Sequence, residues 1–73
     1  MNLAAIKDCK LYYHKNKVIL TGIDKSTLKF VLISLSRQGF EEWINGIPIR
    51  YSLPEISIED RNFLMKGTQL LVD

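Results

Sequence analysis

Cys9 and His14 are the two residues whose types most directly suggest catalysis, because a thiolate beside an imidazole base is a nucleophilic pair. They lie five positions apart in a stretch of β-forming residues. Successive side chains of a strand point to opposite faces, so an odd spacing sends Cys9 inward with Leu11 and Tyr13, and His14 outward. We therefore expect Cys9 to be a small buried apolar residue and not a nucleophile.

Other catalytic and cofactor-binding patterns are also missing from the sequence. One cysteine and one histidine are too few for a structural zinc site. The four glycines stand alone, outside the phosphate-binding patterns G-x-x-x-x-G-K and G-x-G-x-x-G. Adjacent carboxylates such as Glu41 and Glu42, or Glu59 and Asp60, point in different directions. We expect no catalytic residues, no cofactor and no metal.

In the segment 9–21, β-forming residues flank a polar turn at Lys15-Asn16, which favours a β-hairpin. Pairing His14 with Lys17 predicts an outward face that contains Lys10, Tyr12, His14, Lys17, Ile19 and Thr21, with Lys15 at the tip. Lysines could contact phosphates while an aromatic ring stacks on a base, so Lys10, Tyr12, His14, Lys15 and Lys17 are candidate nucleic-acid contacts. The alternative is a solvated face whose lysines protect a sheet edge from aggregation.

Asn45-Gly46 is the strongest local turn signal and predicts a type I′ hairpin over residues 40–51. That register places Trp43 against Pro48 and Glu41 opposite Arg50 on one face. Because Trp and Arg are common interface anchors, the residues Trp43, Pro48 and Arg50 are predicted to bind a protein. Alternatively, the second helix or the tail covers Trp43 and makes it part of the core.

Between the two predicted hairpins the sequence favours a helix. Asp24 or Ser26 can cap its start after Gly22 interrupts the strand, and it runs to about Gln38 with Gly39 after its end.

The apolar stripe of this predicted helix has i, i+3, i+4, i+7 spacing and packs on the sheet. Its members are Leu28, Val31, Leu32 and Leu35. Phe30 and Ile33 lie away from the stripe, so they are predicted to contact either another element or a protein partner.

The C-terminal segment predicts a short helix from Ile58 to Lys66, introduced by a capping-box pattern at residues 57–60 and ended by Gly67. The tail Thr68–Asp73 is expected to dock as a short strand or an extended arm. The predicted architecture is one α+β domain spanning residues 1–73, with the order β-β-α-β-β-α, in which two antiparallel hairpins pack with one main helix and a short C-terminal helix.

Charge is distributed unevenly along the 73 residues. Residues 1–38 contain seven basic and two acidic residues, a net charge of +5, whereas residues 39–73 contain three basic and six acidic residues, a net charge of −3. Such asymmetry permits an anionic partner or head-to-tail self-association. The lone cysteine favours a reducing cytoplasm, and no signal peptide or membrane span is expected at the start or elsewhere.

These features favour a non-enzymatic protein-binding module, of the kind that phages and mobile elements encode as small regulators or inhibitors of a polymerase or nuclease. The expected partner is a larger intracellular protein or complex, and no membrane contact is expected. The alternative is a small RNA- or DNA-binding protein that uses the basic first hairpin, although that hairpin contains no arginine. A third hypothesis is a complex subunit or homo-oligomer that is stable chiefly when assembled.

Overall fold

The structure is a computed structural model, and it describes residues 3–71. The chain forms a three-stranded antiparallel sheet in the order β1-β2-β3, followed by three helices. The α+β class is therefore as predicted. After a 3-10 turn at Leu3–Ala5, the elements are β1 (Lys7–His14), β2 (Lys17–Ile23), β3 (Phe30–Ser36), α1 (Arg37–Ile44), α2 (Ile49–Ser52) and α3 (Ile58–Lys66).

The first hairpin is confirmed, and its register is the predicted one. His14 pairs with Lys17, and the pairing continues without a shift to Lys10 opposite Thr21. A bulge follows between Lys7 and Lys10. In the turn, the positive φ falls on Lys15, at 53°.

The predicted helix after Gly22 is wrong, because residues 30–36 form the third strand. β3 pairs with β2 from Lys17 opposite Ser36 to Ile23 opposite Phe30. Gly22 does not interrupt a strand but lies within β2. Asp24 does accept the backbone N–H groups of Ser26 and Thr27, yet a turn follows it.

Burial along β3 alternates strictly from residue to residue, as in a strand that is covered on one face. Val31, Ile33 and Leu35 are buried, whereas Phe30 and Leu32 are exposed. Val31 and Leu35 are four apart, so they fit both a helical and a strand period, and short apolar runs are ambiguous for this reason. Leu28 and Leu32, which were expected in the core, are exposed.

The predicted second hairpin is also wrong, because residues 37–44 form helix α1. The Ser36 hydroxyl oxygen accepts the Gly39 N–H at 3.1 Å and caps the helix start. Phe40 and Trp43, three residues apart, lie on the buried side of α1. Gly39, expected after a helix end, lies inside α1, where its missing Cβ allows close approach to the carbonyl of Ser52 in α2.

Asn45-Gly46 does form a turn, but that turn ends a helix. Asn45 is the C-cap of α1, and Gly46 follows it with a φ of 104°. Pro48, which has no N–H to donate, occupies the N-cap of α2, where the N–H is not needed. The same residue types therefore suit a helix C-terminus as well as a hairpin.

Helix α3 is confirmed at both ends. The Ser57 hydroxyl oxygen accepts the Asp60 N–H at 3.1 Å, and Gly67 takes the left-handed conformation with a φ of 83°. The tail that follows docks through hydrogen bonds and not as a strand, since the Asn62 amide donates to the carbonyl oxygens of Thr68 and Leu70. Val72 and Asp73 lie outside the described residues.

The helices pack on one face of the sheet and form the core there. Its buried apolar residues are Ile6, Val18, Leu20, Val31, Ile33 and Leu35 from the sheet side, and Phe40, Trp43, Ile49, Leu53, Phe63 and Leu64 from the helical side. On the opposite face, Tyr12, Phe30 and Leu32 are each more than half exposed. Within residues 3–71 no helix is long and apolar enough to cross a membrane.

Candidate functional site

The uncovered side of the sheet, which we call the open face, consists of four cross-strand rows. Directly paired residues of antiparallel strands share a face, so the pairing defines its members. The rows are Lys7–Ile23–Phe30, Lys10–Thr21–Leu32, Tyr12–Ile19–Ser34 and His14–Lys17–Ser36.

The open face is basic. Its twelve residues include Lys7, Lys10, Lys17 and His14, and none of them is a carboxylate. Five of the chain's acidic residues belong instead to the helical layer, namely Glu41, Glu42, Glu55, Glu59 and Asp60. The charge asymmetry along the sequence thus becomes a difference between the two layers of the fold.

Two aromatic rings stand on this basic surface. Tyr12 is 53% exposed and Phe30 is 65% exposed, while Thr21 at the centre is 7% exposed. The rings lie two strands and two rows apart, which corresponds to about 16 Å at ordinary sheet spacings. The face therefore offers separate rings for planar groups, with lysines between and around them.

A depression of about 480 Å³ opens beside the bulge at one end of the open face. It is lined by Asp8, Cys9, Lys10, Thr21, Gly22, Ile23 and Phe30. Asp8 has a positive φ of 54°, so the backbone at the bulge departs from the extended conformation of a regular strand. A ring stacked on Phe30 here would find both a cation and a hydrogen-bond acceptor nearby.

Arg37 fixes the tip of the β1–β2 hairpin against helix α1. Its backbone N–H donates to the Asn16 carbonyl at 2.8 Å, and its guanidinium donates to the Lys15 carbonyl at 3.4 Å. The guanidinium also lies 5.2 Å from the centre of the Tyr13 ring and bonds Glu41 at 3.2 Å. Sequence reasoning missed this role, because it depends on contact between residues 22 positions apart.

The structure brings the predicted nucleic-acid residues together and divides the predicted protein-binding residues. Lys10, Tyr12, His14 and Lys17 lie on the open face, and Lys15 is at the hairpin tip beside it. Phe30, predicted as a protein contact, lies on this same face. In contrast, Ile33 is 2% exposed and belongs to the core.

Trp43, Pro48 and Arg50 do not share a hairpin face, since no hairpin exists there. Trp43 is 8% exposed and packs edge-on to Phe40, with ring centres 6.3 Å apart. The three residues nevertheless meet around a depression of about 420 Å³ on the helical layer. Glu41, the expected partner of Arg50, bonds Arg37 instead.

Cys9 and His14 have different surroundings in the structure. Cys9 packs against the core but is only partly buried, and this burial raises the pKa of its thiol. His14 is paired with Lys17 on the open face. Among residues 3–71, no group of three His, Cys, Asp or Glu side chains is placed to hold a metal ion.

Comparison with known proteins provides no relative from which a function could be transferred. No protein-family model, curated protein or solved structure matches the chain. Any functional argument must therefore start from the geometry and charge of its surfaces.

Proposed function

We propose that this chain is a non-enzymatic binding protein whose open face binds single-stranded nucleic acid. One observation carries the proposal: exposed Tyr12 and Phe30 share a sheet surface with three lysines, and Asp8, in the bulge beside Phe30, is the one carboxylate that lines the depression there. The lone thiol of Cys9 is compatible with a reducing cytoplasmic setting.

Base stacking would supply the short-range attraction. Every base has a flat face, so aromatic rings on a sheet bind single strands with little sequence preference. Tyr12 and Phe30 are about 16 Å apart by sheet geometry, a distance that one short strand can span. In a duplex the bases already stack on each other, so this mode of binding favours single strands.

Lysines would contact the phosphates on either side of the stacked bases. Lys10 lies in the row between those of Tyr12 and Phe30, and Lys17 lies one row beyond Tyr12. Because phosphate contacts release counterions, affinity must fall as salt is added. The helical layer contains five carboxylates, whereas none lies in the four rows of the open face, so repulsion of the phosphate backbone is smaller on the sheet side.

The geometry favours this function over protein binding through Trp43. A ring that is 8% exposed has little surface left to offer a partner, whereas Phe30 and Tyr12 are free. Leu32 and Ile23 on the open face also suit a second copy of the chain, so self-association is a measurable competing outcome.

The first test titrates labelled 12-nucleotide single strands of DNA and RNA, and the matching duplexes, by fluorescence anisotropy. The triple substitution of Lys10, Lys15 and Lys17 by Glu should abolish binding. For three phosphate contacts, the slope of log K against log salt should be about −2. A flat wild-type titration at low salt, or concentration-dependent dimers that hide the open face, would contradict the proposal.

The second test separates stacking from general attraction to charge. Tyr12→Ala and Phe30→Ala should each weaken single-strand binding by about 5- to 150-fold, corresponding to about 1–3 kcal/mol per stacked base. Tyr51→Ala is the matched control, because Tyr51 is 65% exposed but lies on the helical layer. Equal effects of Tyr12→Ala and Tyr51→Ala would rule out stacking on the open face.

A further inference from the structure

The depression on the helical layer, which we call the arginine depression, lies between the α1–α2 turn and helix α3. Its principal lining residues are Trp43, Ile47, Pro48, Arg50, Arg61 and Met65. No carboxylate lines it. Its volume of about 420 Å³ is large enough for one bulky side chain and part of its backbone, but small for a folded partner to enter.

The guanidinium groups of Arg50 and Arg61 can both donate hydrogen bonds to an anionic partner. Arg50 lies 4.9 Å from the centre of the Tyr51 ring, and in the part of the chain that the structure describes neither Arg50 nor Arg61 forms an ion pair. The Nε of Arg61 is buried and has no hydrogen-bond partner.

Apolar surface surrounds these cations. Ile47 is 44% exposed and Met65 is 56% exposed, although both are large apolar residues, and they line the depression together with Trp43. Met side chains adapt to ligands of different shape. A complementary ligand must therefore combine a bulky apolar group with an oxygen anion.

We propose that the arginine depression binds a short segment of a partner protein in which an Asp or Glu stands next to a Leu, Ile, Phe or Met. The carboxylate bonds the two arginines, and the apolar side chain packs on Ile47 and Met65. Arg is the side chain best shaped for bidentate carboxylate recognition.

Two other occupants fit less well. A nucleic-acid strand would gain two arginine contacts here, but most of the lining, including Ile47, Pro48 and Met65, is apolar and suits a side chain better than a phosphate backbone. A second copy offers its own exposed Ile58 next to Glu59. However, Ile58 shares helix α3 with Arg61, so antiparallel pairing of two α3 helices also brings the two Arg61 side chains together.

The experiment selects binders from a displayed library of random ten-residue peptides, using the intact chain as bait. We expect the recovered peptides to be enriched in acidic residues adjacent to large apolar ones. Synthetic versions should bind the Arg50→Gln, Arg61→Gln double variant at least about tenfold more weakly, as loss of charged hydrogen bonds implies. The control Lys25→Gln, Lys66→Gln removes two exposed charges elsewhere and should keep the wild-type affinity.

The peptide selection can either support or overturn the proposal. Recovery of no binders, recovery of peptides without acidic residues, or equal binding by the arginine and lysine variants would overturn the proposal. Circular dichroism and melting establish that the variants are folded, and Arg61→Lys, which keeps the charge but loses the planar fork, should give partial binding. Tyr12→Ala should leave peptide affinity unchanged, so this site and the open face are tested independently.

Discussion

The first half of β3 carries large apolar residues on both faces, and only Ser34 and Ser36 make the end of its exposed face polar. Val31, Ile33 and Leu35 are 6%, 2% and 1% exposed, whereas Phe30 and Leu32 are 65% and 56% exposed. Hydrophobicity alone therefore does not separate core from surface at the start of this strand. The helices determine the difference, because they cover one face, where apolar burial stabilises the fold. The same kinds of side chain on the other face remain available for a ligand.

The largest expected effect tests this difference directly. Ile33→Ala should lower the free energy of unfolding by about 2–5 kcal/mol, as for other buried aliphatic truncations. Leu32→Ala, one position away, should change it by less than about 0.5 kcal/mol, because Leu32 is on the surface. Urea titrations of both variants give the comparison. The predicted helix would have buried Leu32. If Leu32→Ala lowers the free energy of unfolding more than Ile33→Ala does, the observed register of β3 is wrong.

The β2–β3 loop helps to set which face of β3 is covered, since a slip of one residue would exchange the two faces. Asp24 is buried in this loop, and its carboxylate accepts the backbone N–H groups of Ser26 at 2.8 Å and Gln69 at 2.7 Å. It therefore joins the loop to the tail after α3. Burial alone would raise the pKa of Asp24, but hydrogen bonds from Gln69, Ser26, Thr68 and Thr27 outweigh burial and lower this pKa to about 2.

The next prediction concerns this carboxylate. Because its pKa in the folded state lies below the value of about 3.9 in an unfolded chain, ionised Asp24 stabilises the fold above about pH 4. This contribution disappears as the pH falls from about 4 to about 2. Asp24→Asn should lower the free energy of unfolding at pH 7 by about 1–3 kcal/mol, and the difference from wild type should shrink towards pH 2.

Urea unfolding between pH 2 and pH 7 measures this difference. Glu55→Gln removes one exposed negative charge between α2 and α3 and should stay within about 0.5 kcal/mol of wild type. A constant gap between wild type and Asp24→Asn across the whole pH range would show that the hydrogen bonds do not depend on ionisation.

Local sequence signals predicted the first hairpin and the last helix correctly. The structure of residues 24–53 depends on contacts between residues that are distant in the sequence, and it was not predicted. The β1–β2 hairpin and helix α3 depend on neighbours in sequence: a short turn, the Ser57 cap and the Gly67 end. Between them, the Val31–Leu35 spacing fits two periods, and Asn45-Gly46 suits both a hairpin turn and a helix end. The three-residue spacing of Phe40 and Trp43 was the available signal for α1.

The same distinction between local and non-local contacts applies to the candidate site. Lys10, Tyr12 and Lys17 were predicted to share a face because one hairpin contains them all. Phe30 and Leu32 join that face only because β3 pairs with β2, which is a tertiary contact that the sequence pattern did not reveal. Trp43, Pro48 and Arg50 were predicted to share a hairpin face; they line one depression, but the turn between α1 and α2 brings them together, and Arg61 and Met65 of α3 were not predicted to join them.

The smallest expected effect concerns Leu28, at the entrance to β3. This residue has a φ of 61° and is 66% exposed, so it holds a left-handed conformation with little side-chain packing in return. That conformation costs a residue with a Cβ about 1–2 kcal/mol, whereas glycine adopts it freely but loses about 0.5–1 kcal/mol of chain entropy on folding. Leu28→Gly should therefore raise the free energy of unfolding by about 0.5 kcal/mol. Leu28→Ala keeps the Cβ and should be close to neutral, and urea titrations with replicate errors below this difference can separate the three proteins. Glycine inside a helix costs about 1 kcal/mol. If Leu28→Gly lowers the free energy of unfolding by about this amount, the segment is helical, and the observed difference in burial between the two faces of β3 is wrong.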